Sequence, residues 1–184
     1  MKNQFETIVA MKIKKNVNQF DKDVFSLGGY QYTGNKLSSV LANKRMSNAV
    51  REIFNFTNQT VLDCGCGDGK YTKTYIELGA SRVVAIDPAK KAIETAIANN
   101  SDPKIVFSVG DVYNLKNHPL IIEQKTTFSV GVLRGVLHHV SDQKLALNSV
   151  ADVVESLIIL EPNGSNPVLK VIEKKSKYHI DHEE

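Results

Sequence analysis

From residue 60 onward, short apolar segments alternate with longer segments whose apolar residues have helical spacing. The predicted strands cover residues 60–63, 82–86, 104–109, 126–132 and 156–160. Helices are predicted over residues 69–78, from residue 88 to about 99, and from the N-cap Asp142 to about residue 154. Strands that alternate with helices pair in parallel, because each helix carries the chain back across the sheet. The alternation therefore predicts an α/β protein with a doubly wound, Rossmann-like three-layer sandwich and a mainly parallel sheet.

A glycine-rich turn joins the first predicted strand to the first helix. Its sequence over residues 61–69 is VLDCGCGDG, with Gly65, Gly67 and Gly69 at alternate positions. Glycine lets the backbone approach a ligand closely, and a helix N-terminus behind such a turn favours a negatively charged group. Taken alone, the turn also fits a tight connection that binds nothing.

Two aspartates follow the next two strands in the series, Asp87 after the second and Asp111 after the third. In open parallel sheets, ligands bind beyond the carboxyl ends of the strands. A carboxylate there can accept hydrogen bonds from ribose hydroxyls or from an adenine amino group, although either aspartate alone is more often a cap or turn residue. The three features in strand order indicate a nucleoside-containing cofactor.

A nicotinamide dinucleotide is the competing cofactor for this turn. Its G-x-G-x-x-G fingerprint would place the third glycine at position 70, where the chain has Lys70. The sequence also lacks a clear arrangement for hydride transfer. An oxidoreductase is therefore less well supported than a protein whose cofactor has an amino-acid tail and no pyrophosphate.

Four segments together resemble successive motifs of the class I S-adenosylmethionine-dependent methyltransferases. They are VLDCGCGDGKYT, VVAIDPAKKAIETA, GDVYNL and SVGVLRGVLHHVSD, within residues 58–162. The resemblance implies S-adenosyl-L-methionine as cofactor and S-adenosyl-L-homocysteine as product. We expect an enzyme that transfers the methyl group to an oxygen or nitrogen of a small molecule. The alternative is a catalytically incompetent cofactor-binding module that acts with a partner subunit.

The resemblance also implies cofactor contacts at the ends of four strands. These are Asp63, Gly65, Cys66 and Gly67 at the turn, Asp87 and Pro88 after strand two, Asp111 and Val112 after strand three, and Leu133 and Arg134 at strand four. The turn residues would surround the methionine part, the second group would bind the ribose and the third the adenine. The last pair would lie near the cofactor's amino-acid end or the transfer site.

Two departures from the family pattern bear on these expectations. Ser129 stands early in strand four, where many members have an acid. The common fold has seven strands, but only about 24 residues follow the fifth strand here, and they predict a loop and a helix over residues 168–177. We therefore expect strand order 3-2-1-4-5 without the antiparallel strands 6 and 7, in a chain truncated at its C-terminus.

Methyl transfer needs in-line attack but no protein nucleophile. A general base would help a hydroxyl acceptor, whereas a neutral amine needs less assistance. His138 and His139 are the candidate bases, with capping or packing as their alternative. Arg134 could hold an acidic acceptor or the cofactor carboxylate, or form a structural ion pair. Glu161, Asn163 and Asn166 are candidate acceptor contacts, although a simple turn is the favoured interpretation of this segment.

Charge and composition limit the partners. The net charge is +3, and the whole excess lies in the first 22 residues, so we expect no nucleic-acid partner. The sequence has no membrane-spanning apolar run and no secretory signal, which predicts a cytoplasmic protein without a membrane partner. His179 and His182 lack a third metal ligand, so we expect no metal. Cys64 and Cys66 should be reduced thiols.

The sequence divides into two predicted parts. Residues 36–54 carry apolar residues at a mostly helical spacing and should form an amphipathic helix before the sheet. This helix opens the predicted methyltransferase domain, residues 36–184. Residues 1–35 form a separate segment with Tyr30 and Tyr32 that could fold over the cofactor site. The oligomeric state and the identity of the acceptor do not follow from the sequence.

Overall fold

The structure is a computed structural model that describes residues 37–161 continuously, together with residues 17, 18, 22, 163 and 165. The helices are α1 (Leu37–Ile53), α2 (Thr72–Glu77), α3 (Lys90–Asn99), α4 (Pro119–Gln124) and α5 (Gln143–Ala151). The strands are β1 (Thr60–Cys64), β2 (Arg82–Asp87), β3 (Ile105–Val109), β4 (Phe128–Arg134) and β5 (Val154–Leu160). Short 3₁₀ turns occupy Leu115–Asn117 and Leu137–His139.

All five strands are parallel and lie in the order β3-β2-β1-β4-β5, as predicted from the sequence. The central strand β1 pairs with β2 on one side and with β4 on the other, so that Val61 lies opposite both Val83 and Val130. Parallel strands place their carboxyl ends at one edge of the sheet. The residues that follow β1, β2, β3 and β4 are therefore brought to that common edge.

The sheet is covered on both faces, which gives the predicted three layers. Leu62 belongs to the core on one face, where Ile121 of α4 and Ala146 of α5 also pack. Val61 belongs to the core on the other face, with Val50 of α1 as one of its members. Both strand residues are fully buried. Burial on both faces explains why the strands are continuous apolar runs rather than alternating ones.

Several element boundaries differ from the sequence prediction. Helix α2 begins at Thr72 rather than at Gly69, because the glycine turn continues to Tyr71. The predicted helix after Asp142 ends at Ala151 rather than near residue 154, where β5 begins. Asp142 is the N-cap, as predicted, and its side chain accepts a hydrogen bond from the Leu145 amide at 2.9 Å. Helix α4 was not predicted, because six residues are too few to show helical periodicity.

Some predictions fall outside the described residues. They are the lid formed by residues 1–35, of which only three are described, the helix over 168–177, and the roles of Asn166, His179 and His182. Within the described part of the chain, no helix combines the length and apolar character needed to cross a membrane. The described residues also contain no group of three metal-binding side chains.

Candidate active site

The glycine turn after β1 has a backbone conformation that only glycine adopts without strain. Gly65, Gly67 and Gly69 have φ angles of 75°, 56° and 73°. The Gly65 amide donates to the Ile86 carbonyl at 2.7 Å, which fixes the turn against the end of β2. A Cβ atom at Gly65 would lie 2.5 Å from the Val136 side chain, so the turn also packs closely against the loop after β4.

Asp87, the last residue of β2, holds this turn in place. One carboxylate oxygen accepts a hydrogen bond from the Gly67 amide at 2.8 Å, and the other accepts from the Ala89 amide at 2.8 Å. The side chain is buried, with 7% of the residue exposed. A carboxylate offers about four acceptor positions, so it can still accept hydrogen bonds from a ribose. Its neighbour Pro88 is exposed at the same edge.

Asp63 is a buried carboxyl group beneath the turn. It accepts a hydrogen bond from the Thr72 hydroxyl at 2.7 Å, which joins β1 to the first residue of α2. Burial raises the pKa of Asp63 to about 6, and the negative charge of Asp87 adds to that rise. The Thr72 hydrogen bond and the positive charge of Arg134 act in the opposite direction.

The segment after β3 places Asp111 and Val112 at the same edge of the sheet. We call residues 110–113 the adenine loop, after the ligand part predicted there. Asp111 is exposed and accepts a hydrogen bond from the Tyr113 amide at 2.8 Å, while Val112 is buried. The Tyr113 hydroxyl accepts a hydrogen bond from the Ser141 amide at 3.1 Å. The adenine loop is thereby tied to the loop that carries the candidate bases.

Arg134, the last residue of β4, contacts helix α1. Its guanidinium donates to the Ser47 hydroxyl at 3.1 Å and to the carbonyl and side-chain oxygens of Asn43 at 3.0 and 3.1 Å. It also lies over the Tyr71 ring, 3.9 Å from the centroid. Its hydrogen-bond partners on α1 are neutral rather than the acid that a structural ion pair would need. Contact of Arg134 with the cofactor or acceptor stays a prediction, as it does for the buried Leu133.

His138 and Glu161 form a pair between the loops after β4 and β5. The Nδ1 atom of His138 lies 2.6 Å from one Glu161 carboxylate oxygen. The other oxygen accepts hydrogen bonds from the amides of Val136 and Leu137, both at 2.8 Å. Burial raises the pKa of Glu161, but the His138 hydrogen bond and the two amides outweigh it and lower the pKa below its ordinary value. The ring of His139 lies 3.9 Å from that of His138, centroid to centroid.

The pairing of Glu161 with His138 was missed in the sequence, where Glu161 was predicted only as an acceptor contact. The available signal was the adjacency of β4 and β5, which brings the residues after both strands together. The direct acceptor contact of Glu161 stays a prediction. Asn163 accepts a hydrogen bond from the Ser165 amide at 3.1 Å, an arrangement typical of a turn.

Ser129 lies at the other end of the sheet from the candidate site. Its hydroxyl is 3.2 Å from both the amide and the hydroxyl of Thr60, the first residue of β1. Its replacement of an acid therefore leaves the carboxyl edge of the sheet unaffected. The free thiols Cys64 and Cys66 lie next to the turn, and burial raises the pKa of both.

Comparison with known proteins agrees with this geometry. Residues 61–156 match the model of a family described as a methyltransferase domain, a span that runs from β1 into β5. The chain belongs to this family. The class I S-adenosylmethionine-dependent methyltransferase family predicted from the sequence motifs is thereby confirmed, together with the Rossmann-like fold.

Two named relatives are similar in sequence to part of this chain. A tRNA U34 carboxymethyltransferase from Shewanella frigidimarina is 33% identical over 121 residues, which cover 61% of this chain and 35% of that protein. The mitochondrial ubiquinone biosynthesis O-methyltransferase from Homo sapiens is 33% identical over 110 residues, covering 57% and 27%. The match thus spans about a third of the first relative's length and about a quarter of the second's.

The fold is also similar to solved methyltransferase structures. Magnesium protoporphyrin IX methyltransferase from Synechocystis with bound SAH has a TM-score of 0.60 and 17% sequence identity to this chain. The match covers 77% of this chain and 67% of that one. At this level of identity, the similarity supports the shared fold.

Proposed function

We propose that this chain binds S-adenosyl-L-methionine at the glycine turn and transfers its methyl group to an oxygen or nitrogen of a small molecule. The observation that carries the proposal is the Asp87 carboxylate, which holds the Gly67 amide at 2.8 Å beside a turn without side chains. This arrangement offers a carboxylate acceptor for ribose hydroxyls and open backbone for the rest of the ligand. Family membership supports the same cofactor.

Different residues around the turn would contact the ribose, the adenine and the methionine part of the proposed cofactor. Asp87 would accept hydrogen bonds from the ribose, and Asp111 from the adenine amino group. The methionine part would lie over the turn, above the buried Asp63 and near Arg134. The positive charge of Arg134 would attract the carboxylate of the methionine part, while its guanidinium also hydrogen-bonds to Ser47 and Asn43 of α1. The bound cofactor would supply an electrophilic methyl group on a sulfonium.

His138 is the proposed general base, because Glu161 fixes its orientation. In the tautomer with hydrogen on Nδ1, His138 donates to Glu161 and leaves the lone pair of Nε2 for a proton of the acceptor. The His138 side chain is 35% exposed, so an acceptor can reach it. Nε2 of His138 would accept the proton that the acceptor oxygen or nitrogen releases as it takes up the methyl group supplied by the cofactor.

A small-molecule acceptor fits the charge distribution better than a nucleic acid does. The positive excess of the sequence lies in its first 22 residues, and the remaining 162 residues have no net charge. Nucleic-acid binding relies on a concentrated basic surface. The named relatives include both a tRNA-modifying enzyme and a ubiquinone-biosynthesis O-methyltransferase. We therefore favour a small molecule over a nucleic acid as the acceptor.

Isothermal titration calorimetry tests the cofactor first. We expect saturable binding of S-adenosyl-L-methionine and none of a nicotinamide dinucleotide. The variant Asp87→Ala should lose cofactor affinity by on the order of 1.5 to 3 kcal/mol, since charge-assisted hydrogen bonds to the ribose disappear. Asp102→Ala is the matched control, because Asp102 also accepts a hydrogen bond from the amide two residues later but lies before β3, at the opposite end of the sheet. Equal affinity in the folded Asp87 variant and the wild type would contradict the site.

The base is tested separately, by screening small hydroxyl and amine compounds for methylation. His138→Ala should lose turnover and keep cofactor affinity if His138 is a base. Loss of both would instead indicate an architectural role. A chain that binds the cofactor with high affinity but methylates no compound, and that co-purifies in a stable complex, would favour the alternative of a binding module.

A further inference from the structure

His118 lies outside the predicted site but contacts the strand that leads into the adenine loop. It follows the 3₁₀ turn Leu115–Asn117 and is the N-cap residue of α4. Its Nε2 atom lies 3.3 Å from the Val109 carbonyl oxygen and 3.2 Å from the Ser108 hydroxyl. These two residues end β3, immediately before the loop that contains Asp111.

The contact with Val109 specifies the tautomer of the imidazole. A carbonyl oxygen only accepts hydrogen bonds, so this bond exists when Nε2 of His118 carries the hydrogen. The Nδ1 atom is then the lone-pair nitrogen, and it is buried with no hydrogen-bond partner among the described residues. The His118 side chain therefore hydrogen-bonds to the end of β3 through Nε2 alone.

The same ring packs against the first residue of the adenine loop. A Cβ atom at Gly110 would lie 2.7 Å from Cδ2 of His118 and 2.8 Å from the Ile86 side chain. The Gly110 backbone is thus held between the His118 ring and the end of β2. Its amide donates to the Asp87 carbonyl at 3.1 Å, which adds a third constraint on its position.

We propose that His118 is a positioning residue that fixes the adenine loop and thereby sets the preference for an adenine base. The inference rests on the proposed function, since it takes the ligand of this loop to be the adenine of the cofactor. His118 itself makes no contact with the ligand in this proposal. It acts by holding the backbone of Val109 and Gly110, so that Asp111 and the Val112 amide meet the base in a defined geometry.

Two substitutions separate the hydrogen bond from the shape of the ring. His118→Phe keeps a planar ring but removes the Nε2 donor, whereas His118→Gln can place an amide donor near the Nε2 position. Loss of one neutral hydrogen bond corresponds to about a threefold to tenfold change in affinity. Glu123→Gln is the control, because Glu123 is an exposed residue of α4.

The assay is calorimetric titration with S-adenosylhomocysteine and with its inosine analogue, which has a carbonyl oxygen in place of the adenine amino group. The wild type should prefer the adenine compound, because the amino group can donate to Asp111, whereas the carbonyl oxygen at the same position of the inosine analogue cannot donate. We expect the Phe variant to bind S-adenosylhomocysteine about threefold to tenfold more weakly and to lose much of this preference. The Gln variant and the control should stay within about twofold of the wild type.

Each other outcome overturns a stated claim. A Phe variant with wild-type affinity and preference, or Phe and Gln variants that are impaired equally, would overturn the role of His118. A wild type that binds neither compound would overturn the proposed function and this inference with it. If the Phe variant does not fold, His118→Asn replaces it, since the shorter amide cannot reach Val109 and should show the same loss of preference.

Discussion

Replacement of Glu161 by glutamine tests the pair at the centre of the proposed acceptor site. Glutamine keeps one oxygen for the amides of Val136 and Leu137 but turns an amide group toward His138. Three charge-assisted hydrogen bonds, at 2.6, 2.8 and 2.8 Å, are therefore weakened or lost. A charged acceptor is worth about 1 kcal/mol more per bond than a neutral one. With a discount for partial exposure, Glu161→Gln should lower the free energy of unfolding by about 2 kcal/mol at pH 7.

The pH dependence of this difference gives a second test. Because the pKa of Glu161 is lowered in the folded protein, its carboxylate stabilises the fold above the ordinary pKa of a glutamate. That contribution is lost as the pH falls through the lowered pKa, where the protonated acid becomes similar to glutamine. The difference between wild type and variant should therefore shrink as the pH falls from about 5 to about 3.

Urea unfolding of the wild type and the variant at pH 7 and at about pH 3 measures this difference in unfolding free energy. Glu155→Gln is the control, since Glu155 is an exposed residue of β5 that accepts one hydrogen bond, from the Thr127 hydroxyl at 3.3 Å. It should change stability by less than about 0.5 kcal/mol. A Glu161 variant as stable as the wild type at pH 7, or a difference that is the same at low pH, would refute the reasoning.

Three further predictions concern the turn and its surroundings. Gly65→Ala should destabilise the fold by at least about 2 kcal/mol in thermal unfolding, because the new Cβ would lie 2.5 Å from Val136. Adding Val136→Ala removes that contact and should restore part of the lost stability. If it restores none, close packing is not the cause. Arg134→Lys should speed amide hydrogen exchange in α1, because lysine cannot bridge Ser47 and Asn43, and unchanged exchange would argue against this anchor. The raised pKa makes the ionised Asp63 destabilising above pH 6. The gain in unfolding free energy from Asp63→Asn should therefore be larger at pH 8 than at pH 4, by up to about 3 kcal/mol. Denaturant unfolding in which the effect of the substitution does not depend on pH would contradict this.

The grouping of candidate cofactor residues at the carboxyl edge of the sheet could be predicted, because it depends on strand order alone. Once β1, β2 and β3 are recognised as parallel neighbours, the residues that follow them must meet at one edge, whatever the details of side-chain packing. Asp63, Asp87 and Asp111 lie at that edge, and the positive φ angles of the glycine turn explain the spacing of its glycines. The backbone and the sequence pattern determine both features together.

The contacts around Arg134 and His138 could not be predicted in the same way. Arg134 hydrogen-bonds to Asn43, 91 residues earlier, and His138 to Glu161, 23 residues later. Such contacts depend on side-chain rotamers and on which helix packs over which strand end, and neither produces a periodic signal in the sequence. The short helix α4 was missed for a related reason, since only Ile121 of its six residues is buried.

The anchoring of α1 through Arg134 has a consequence for the order of assembly. The helix precedes every described strand in the sequence, but its polar anchor is the last residue of β4. Closing a loop of about 90 residues before β4 has joined the sheet would have an unfavourable entropy, so the hydrogen bonds between Arg134 and α1 form more readily once the sheet has brought the two ends of that loop together. The helix can form early during synthesis, but its hydrogen bonds to Arg134 have to wait until β4 has been made.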